Sequence, residues 1–133
     1  MSPTADELVA QARQRIFRIG PAELEPLAAA GGLIVDIRPV AQRAEEGELP
    51  GALIIERNVL EWRLDPCGDH RIPQVKGYEQ PVVVVCSEGY ASSLAADMVR
   101  ALGYRRAADL VGGYQAWLAW SAAEDGDPSA KAP

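Results

Sequence analysis

The sequence predicts an α/β protein with a mostly parallel central sheet. Short apolar runs rich in β-branched residues alternate along the chain with segments of helical periodicity, which is the pattern of such folds. The run from Pro81 to Val85 contains four consecutive valines, and an uninterrupted apolar run of this length is typical of a strand buried on both faces. The length of 133 residues suits one domain that buries a core without disulfides.

The first elements are a helix and a short edge strand. Thr4 and Glu7 have the spacing of a capping box, which predicts a helix from about Ala5 to Gln14. The alternation over 16–19 predicts a short edge strand, and Gly20-Pro21 ends it. Residues 1–20 are therefore expected to form an N-terminal extension of the main domain.

The next elements are two helices and two strands, each bounded by glycine or proline. Pro21 suits the first turn of a helix, and Gly31-Gly32 ends that helix. We predict strands over 33–38 and 52–56, with a short acidic helix over 40–46 between them.

The second half of the chain repeats the alternation. Asn58 is the predicted cap of a short helix over 59–64, and a loop rich in Pro, Gly and Asp follows. The remaining predictions are a strand over 82–85, a helix over 91–102, a strand over 106–111, a helix over 114–120 and a disordered tail over 121–133.

Cys86 lies where the valine strand ends and the next helix begins. Functional groups of parallel sheets gather at the carboxyl ends of the strands. Loop N–H groups and the dipole of the following helix favour negative charge at this point, and the thiolate is the reactive form of cysteine. The sequence thus predicts that Cys86 is a nucleophile.

Composition and charge exclude several classes of partner. The net charge of −6 disfavours nucleic acid and anionic membranes, and no apolar segment is long enough to span a bilayer. The polar, acidic N-terminus lacks the layout of a signal peptide, so we expect a cytoplasmic location. In that compartment the two cysteines are expected to be free thiols.

Four motifs are spaced along the chain, over 33–38, 47–52, 84–86 with Gly89, and 112–117. Together they resemble those of single-domain rhodanese-like proteins, and the resemblance extends over about Pro21 to Trp120. The resemblance implies a central five-stranded parallel sheet flanked by helices, so that 1–20, 21–120 and 121–133 would be an N-terminal extension, the rhodanese-like domain and a flexible tail. It also implies a sulfurtransferase that moves sulfane sulfur through a persulfide on Cys86, without a cofactor.

The active-site loop departs from the thiosulfate-specific members of the family. Such members carry basic side chains beside the cysteine, whereas no Lys or Arg occurs from Cys86 to Asp97. Thiosulfate, polysulfide and a protein persulfide therefore stay open as donors, with a thiol or cyanide-like acceptor. Backbone amides and serine hydroxyls are expected to stabilise the sulfur. The predicted loop consists of Ser87, Glu88, Gly89, Tyr90, Ala91 and Ser92.

Four residues outside the loop are further candidates. Arg57 and Arg63 follow the third predicted strand and could supply positive charge to the site, or could lie on a solvated helix face. Asp36 and Arg38 lie at a strand end, where the resemblance implies a structural role that organises loops near the site.

Cys67 and His70 lie in the long loop and carry only weak signals. A four-ligand metal site would need a second close pair of ligands besides Cys67 and His70, and the sequence has none. We therefore predict no metal site. Cys67 could be a resolving thiol that attacks a Cys86 persulfide, or a loop cysteine without a role.

Two alternatives to a sulfurtransferase make different demands on the residues around Cys86. A phosphatase or arsenate reductase needs an arginine six positions after the cysteine, where this chain has Ser92. A non-catalytic binding module, acting as a sulfur relay or sensor for a protein partner, stays open.

Overall fold

The computed structural model describes residues 2–126 and contains a five-stranded sheet in the order β1-β5-β4-β2-β3. Every strand pairing in this sheet is parallel, which confirms the predicted α/β class. The strands are β1 (Phe17–Ile19), β2 (Leu33–Asp36), β3 (Leu53–Ile54), β4 (Val82–Val85) and β5 (Ala107–Leu110). The helices are α1 (Ala5–Arg13), α2 (Leu24–Ala29), α3 (Val40–Glu46), α4 (Leu60–Leu64), α5 (Ala91–Leu102) and α6 (Gly113–Gly126).

The valine strand β4 lies at the centre of the sheet and is buried on both faces. Val82 and Val84 pack into one hydrophobic cluster, whereas Val83 and Val85 pack into a second cluster on the other face. This division follows from the alternation of side chains along a strand. It explains why the run is apolar at every position rather than at every second one.

The helices cover both faces of the sheet. The helix α5 packs on β4 and β5, and α1 packs on α5. The opposite cluster contains Leu24 from α2 and Tyr114 from α6. No helix in the described part of the chain is long and apolar enough to cross a bilayer.

The main correction to the predicted elements concerns the C-terminus. The last helix extends to Gly126 rather than ending at Trp120, so the expectation of a disordered tail is wrong over 121–126. Alanines at 122 and 123 favour continuation of the helix. The part of the predicted tail over 127–133 lies outside the described residues.

Smaller corrections concern three other element ends. Helices α2 and α4 are each preceded by a short 3-10 turn, over Pro21–Glu23 and Arg57–Val59. Asn58 lies inside the second turn and is not a helix cap, contrary to prediction. The third strand is only two residues long, shorter than predicted, and pairs with β2 alone at the edge of the sheet. The predicted capping box of Thr4 and Glu7 is confirmed.

The buried side chain of Tyr104 is expected to make the fold less stable at alkaline pH. Its ring is fully buried and its hydroxyl donates a hydrogen bond to the Leu64 carbonyl. Burial, with smaller effects from Tyr78 and Asp65, raises the pKa of Tyr104 to about 12. A raised pKa stabilises the fold below the ordinary tyrosine pKa of about 10, and this stability is lost as the pH rises from about 10 to 12.

We therefore expect the free energy of unfolding to fall less steeply in Tyr104→Phe than in the wild type between about pH 10 and 12. The difference in this fall should be about 2 kcal/mol over the window. At neutral pH the variant should instead be less stable by about 1 kcal/mol, because the Leu64 carbonyl loses its donor. Urea unfolding at a series of pH values measures both effects. Parallel pH profiles for the two proteins would contradict the expectation.

Candidate active site

Cys86 follows β4 directly, and two backbone N–H groups of the following loop point at its sulfur. The residue is buried, with 8% of its surface exposed. Its Sγ accepts hydrogen bonds from the N–H of Gly89 at 3.2 Å and from the N–H of Ser92 at 3.3 Å. Ser92 is in the first turn of α5, whose N-terminal dipole favours an anion at the same point. The arrangement therefore stabilises negative charge on the sulfur.

The N-terminus of α6 holds the backbone of the loop from one side. The N–H of Tyr114 donates to the Cys86 carbonyl at 2.8 Å, and the N–H of Gln115 donates to the Ser87 carbonyl at 3.0 Å. Gly113 makes this close approach possible, because it has a φ of +63° and a Cβ there would lie 2.5 Å from the Cys86 carbonyl oxygen. The glycine pair at 112–113 is thus part of the site rather than only a turn.

Gly89 closes the loop over the sulfur. It has a φ of +89°, and a Cβ at this position would lie 2.8 Å from the backbone nitrogen of Gly112. The residue therefore satisfies two requirements, a left-handed backbone and close contact with another loop. Both are needed for its N–H to point at Cys86.

A buried carboxylate lies beneath the loop. Asp109 of β5 is fully buried and accepts hydrogen bonds from the hydroxyls of Ser92 at 2.8 Å and Ser93 at 2.7 Å. Its other oxygen accepts a bond from Arg18 Nε at 2.8 Å. The expectation that these serine hydroxyls support the sulfur directly is therefore wrong, because they anchor the start of α5 to the sheet. Tyr90 is the N-cap of α5 and makes no side-chain capping bond.

Two arginines of the N-terminal segment meet at the carbonyl oxygen of Gly89. Arg13 Nη2 donates to it at 2.8 Å, and Arg18 Nη2 donates to it at 3.2 Å. Arg13 Nε also donates to Ser93 Oγ at 3.0 Å, and the Arg13 guanidinium lies 5.4 Å from the centre of the Tyr90 ring. No sequence pattern points to either arginine, because nothing near Cys86 in the sequence indicates a contact with residues more than 65 positions away.

The opposite side of the loop is tied to α3. Ser87 Oγ donates to both carboxylate oxygens of Glu46, at 3.0 and 2.9 Å. Glu46 in turn accepts a bond from Arg38 Nη1, and Arg38 forms a bidentate ion pair with Asp36. These contacts fit the structural role that the resemblance implies for Asp36 and Arg38.

Arg38 keeps its charge although it is fully buried. Burial acts to lower its pKa, but hydrogen bonds and charge attraction from Asp36 and Glu46 outweigh burial, so the pKa of Arg38 is raised. The guanidinium also lies 4.0 Å from the centre of the Tyr114 ring. One buried cation thus joins the ends of β2 and α3 to the start of α6.

The hydrogen bonds of Arg57 and Arg63 do not go to the loop. Arg57 forms an ion pair with Glu61 at 3.0 Å, one helical turn further along. Arg63 Nη1 donates to the carbonyl oxygen of His70 at 2.7 Å. The guanidiniums that contact the Cys86 loop are instead those of Arg13 and Arg18.

The other sulfur and the histidine lie in the long loop after α4. Cys67 is exposed, with its Sγ 3.5 Å from the Tyr78 hydroxyl. Both cysteines are free thiols. Among the described residues no group of three or more His, Cys, Asp or Glu side chains is placed to hold a metal ion.

The remaining loop side chains face outward. Glu88, Tyr90 and Ala91 are exposed, whereas Ser92 is buried. The site therefore combines a recessed thiol, convergent N–H donors and an exposed rim. Such a site suits a nucleophilic sulfur that receives and releases an anionic group.

Comparisons with known proteins agree with this geometry. A model of the rhodanese-like domain matches residues 20–119. A protein of unknown function from Rhodopseudomonas palustris, described as a possible tyrosine phosphatase, is 26% identical, with a TM-score of 0.80 and coverage of 91% of this chain and 93% of that chain. A human single-domain sulfurtransferase is 27% identical, with a TM-score of 0.61 and coverage of 77% and 95%. A rhodanese homologue from Thermus thermophilus is 32% identical, with a TM-score of 0.53 and coverage of 74% and 98%.

Proposed function

Because this chain belongs to the rhodanese-like domain family, we propose that it is a sulfurtransferase in which Cys86 carries sulfane sulfur as a persulfide. The observation that supports this most directly is the pair of N–H donors from Gly89 and Ser92 on the Cys86 sulfur. A thiolate is the nucleophile of sulfur transfer, and these donors stabilise it without a basic side chain in the loop.

The proposed reaction has two nucleophilic displacements. The Cys86 thiolate attacks the sulfane sulfur of the donor, a sulfur–sulfur bond forms, and the remainder of the donor leaves with the electron pair of its own broken bond. That leaving group is sulfite from thiosulfate and a thiolate or shorter polysulfide from other donors. A thiol or cyanide-like acceptor then attacks the outer sulfur of the persulfide, and the Cys86 thiolate leaves unchanged.

A phosphatase function is the main alternative among enzymes, given the description of the Rhodopseudomonas palustris protein. Phosphoryl transfer at such a loop needs an arginine to hold the oxyanion with two parallel hydrogen bonds. The corresponding position here is Ser92, whose hydroxyl donates to Asp109. The alternative therefore lacks its main catalytic group.

A relay or sensor module that exchanges sulfur only with a protein partner is the other alternative. Cys86 is recessed and Glu88 on the rim is acidic, so the donor could be the persulfide of another protein rather than a small anion. The donor and acceptor are thus proposals, as is the cytoplasmic location that the sequence favours.

Mass spectrometry after incubation with a donor tests the proposal. We expect thiosulfate or polysulfide to add the mass of one sulfur atom to the peptide that contains Cys86, and cyanide to remove it with release of thiocyanate. The peptide that contains Cys67 serves as an internal control. Sulfur found on Cys67 alone would contradict the proposal, and a Cys86 persulfide that no small acceptor removes would favour the relay module.

A further inference from the structure

The positive charge at the active-site loop comes from outside the matched family domain. The match begins at residue 20, whereas Arg13 and Arg18 precede it and both donate to the carbonyl of Gly89. The loop itself contributes no cation from Cys86 to Asp97. The full positive charges that contact the loop are therefore those of the α1–β1 segment, in addition to the partial charges of the loop N–H groups and the α5 dipole.

The two arginines differ in how their charge is balanced. Arg18 forms an ion pair with the buried carboxylate of Asp109 at 2.8 Å, so its charge is compensated. Arg13 has no carboxylate within ion-pair distance among residues 2–124; its hydrogen bonds go to the neutral Ser93 hydroxyl and Gly89 carbonyl. Arg13 is thus the cation whose charge acts outward from the loop.

Arg13 is half-buried rather than enclosed beneath the loop. With Tyr90 it lines an open cleft of about 500 Å³ at the surface of α1. Tyr90 is 58% exposed and belongs to the Cys86 loop. The contacts from Arg13 to the Gly89 carbonyl and from the Gly89 N–H to the sulfur place the Arg13 guanidinium within about 10 Å of Cys86 Sγ.

We propose that Arg13 is the specificity-determining cation that draws anionic sulfur donors to Cys86. This inference rests on the proposed sulfurtransferase function and narrows its donors to anions, the class that includes thiosulfate and ionised persulfides. A unit charge within about 10 Å of the reacting sulfur changes the rate for a monoanion by about three- to tenfold at low salt.

The other charged groups near Cys86 determine how strongly Arg13 raises the rate with anionic donors. Glu88 in the loop and Asp6 in the cleft oppose Arg13, since both are exposed carboxylates. Glu46 on the other side shares Arg38 with Asp36, so these three groups together have a net negative charge that also opposes Arg13. Removing the Glu88 charge should therefore raise the rate at which Cys86 reacts with anions, whereas removing the Arg13 charge should lower it.

Alkylation of Cys86 by two reagents of different charge tests the proposal. Iodoacetate is an anion and iodoacetamide is neutral, yet both react with the same thiolate. The ratio of their rates therefore reports the local charge and cancels changes in the thiolate itself. The experiment uses Cys67→Ser as background, so that only one thiol reacts.

We expect Arg13→Gln to lower the ratio of the iodoacetate rate to the iodoacetamide rate by about three- to tenfold. Arg13→Lys should retain most of the ratio, and Glu88→Gln should raise it. The matched control is Arg15→Gln, which removes a charge from the same segment but from a surface pair with Asp97. The control should leave the ratio unchanged. In the wild type, added salt should reduce the ratio.

Equal ratios in Arg13→Gln and the wild type would overturn the inference. A parallel fall in both rates, with the ratio unchanged, would mean that Arg13 only supports the loop, and would overturn it too. If Arg13→Gln does not fold, an absence of salt dependence in the wild type would overturn it. Failure of the proposed function is seen separately, as the absence of a Cys86 persulfide while the alkylation ratio still responds to Arg13.

Discussion

Cys86→Ser is expected to abolish persulfide formation and to lower sulfur transfer from thiosulfate or polysulfide by at least about a thousandfold. Serine is nearly the same size as cysteine, and the N–H groups of Gly89 and Ser92 would still point at its hydroxyl. A serine hydroxyl does not ionise at neutral pH and cannot carry sulfane sulfur. The loss should therefore come from chemistry rather than from folding.

Thiocyanate release in the presence of cyanide measures this activity, and thermal unfolding measures the fold. We expect the stability of Cys86→Ser to lie within about 1 kcal/mol of the wild type. Cys67→Ser is the matched control, since it removes the other free thiol, which is exposed and lies in the long loop after α4. An active Cys86→Ser variant, or an inactive Cys67→Ser variant, would be inconsistent with Cys86 as the carrier.

Asp109→Ala is expected to destabilise the fold by about 3 kcal/mol and to loosen the active-site loop. The carboxylate is fully buried, and its removal leaves the buried hydroxyls of Ser92 and Ser93 without their acceptor. It also leaves the charge of Arg18 uncompensated next to the loop. Each of these losses alone costs about 1–3 kcal/mol, and they are not additive.

Asp97→Ala is the matched control for this prediction. Asp97 also accepts bonds from arginines, Arg15 and Arg100, but the side chains of these arginines are 47% and 37% exposed, so solvent screens both pairs. Exposed ion pairs contribute about 0–1 kcal/mol, so this variant should be nearly as stable as the wild type. Urea unfolding compares the two variants. If Asp109→Ala loses no more free energy of unfolding than Asp97→Ala, the buried hydrogen bonds of Asp109 do not support the loop.

Much of the fold can be predicted from the sequence because its signals are local. Four valines in a row indicate a strand buried on both faces, and β4 has this position at the centre of the sheet. The Thr4 capping box and the glycines at 103 and 112–113 mark element ends for equally local reasons. The place of Cys86 between a strand and a helix follows from the same signals. The sequence did not predict where α6 ends, because the small and polar residues at 121–126 are compatible with both helix and coil.

The supports of the site could not be predicted in this way. Arg18 meets Asp109 because β1 pairs with β5, and the register sets the two residues directly opposite each other. That pairing joins the first strand of the chain to the last, and no local pattern specifies it. Arg57 and Arg63 were predicted because they follow the third strand, whose end was expected to lie near the site, yet their bonds go to Glu61 and His70.

The sequence by itself determined that a cysteine follows a buried strand, next to a glycine-bearing loop and a helix. Only the tertiary structure decided which charges surround that cysteine. The physical reason is that backbone conformation depends on neighbouring residues, whereas a guanidinium and a carboxylate interact through space. Strand order therefore placed Arg13 and Arg18, rather than Arg57 and Arg63, on the carbonyl of Gly89.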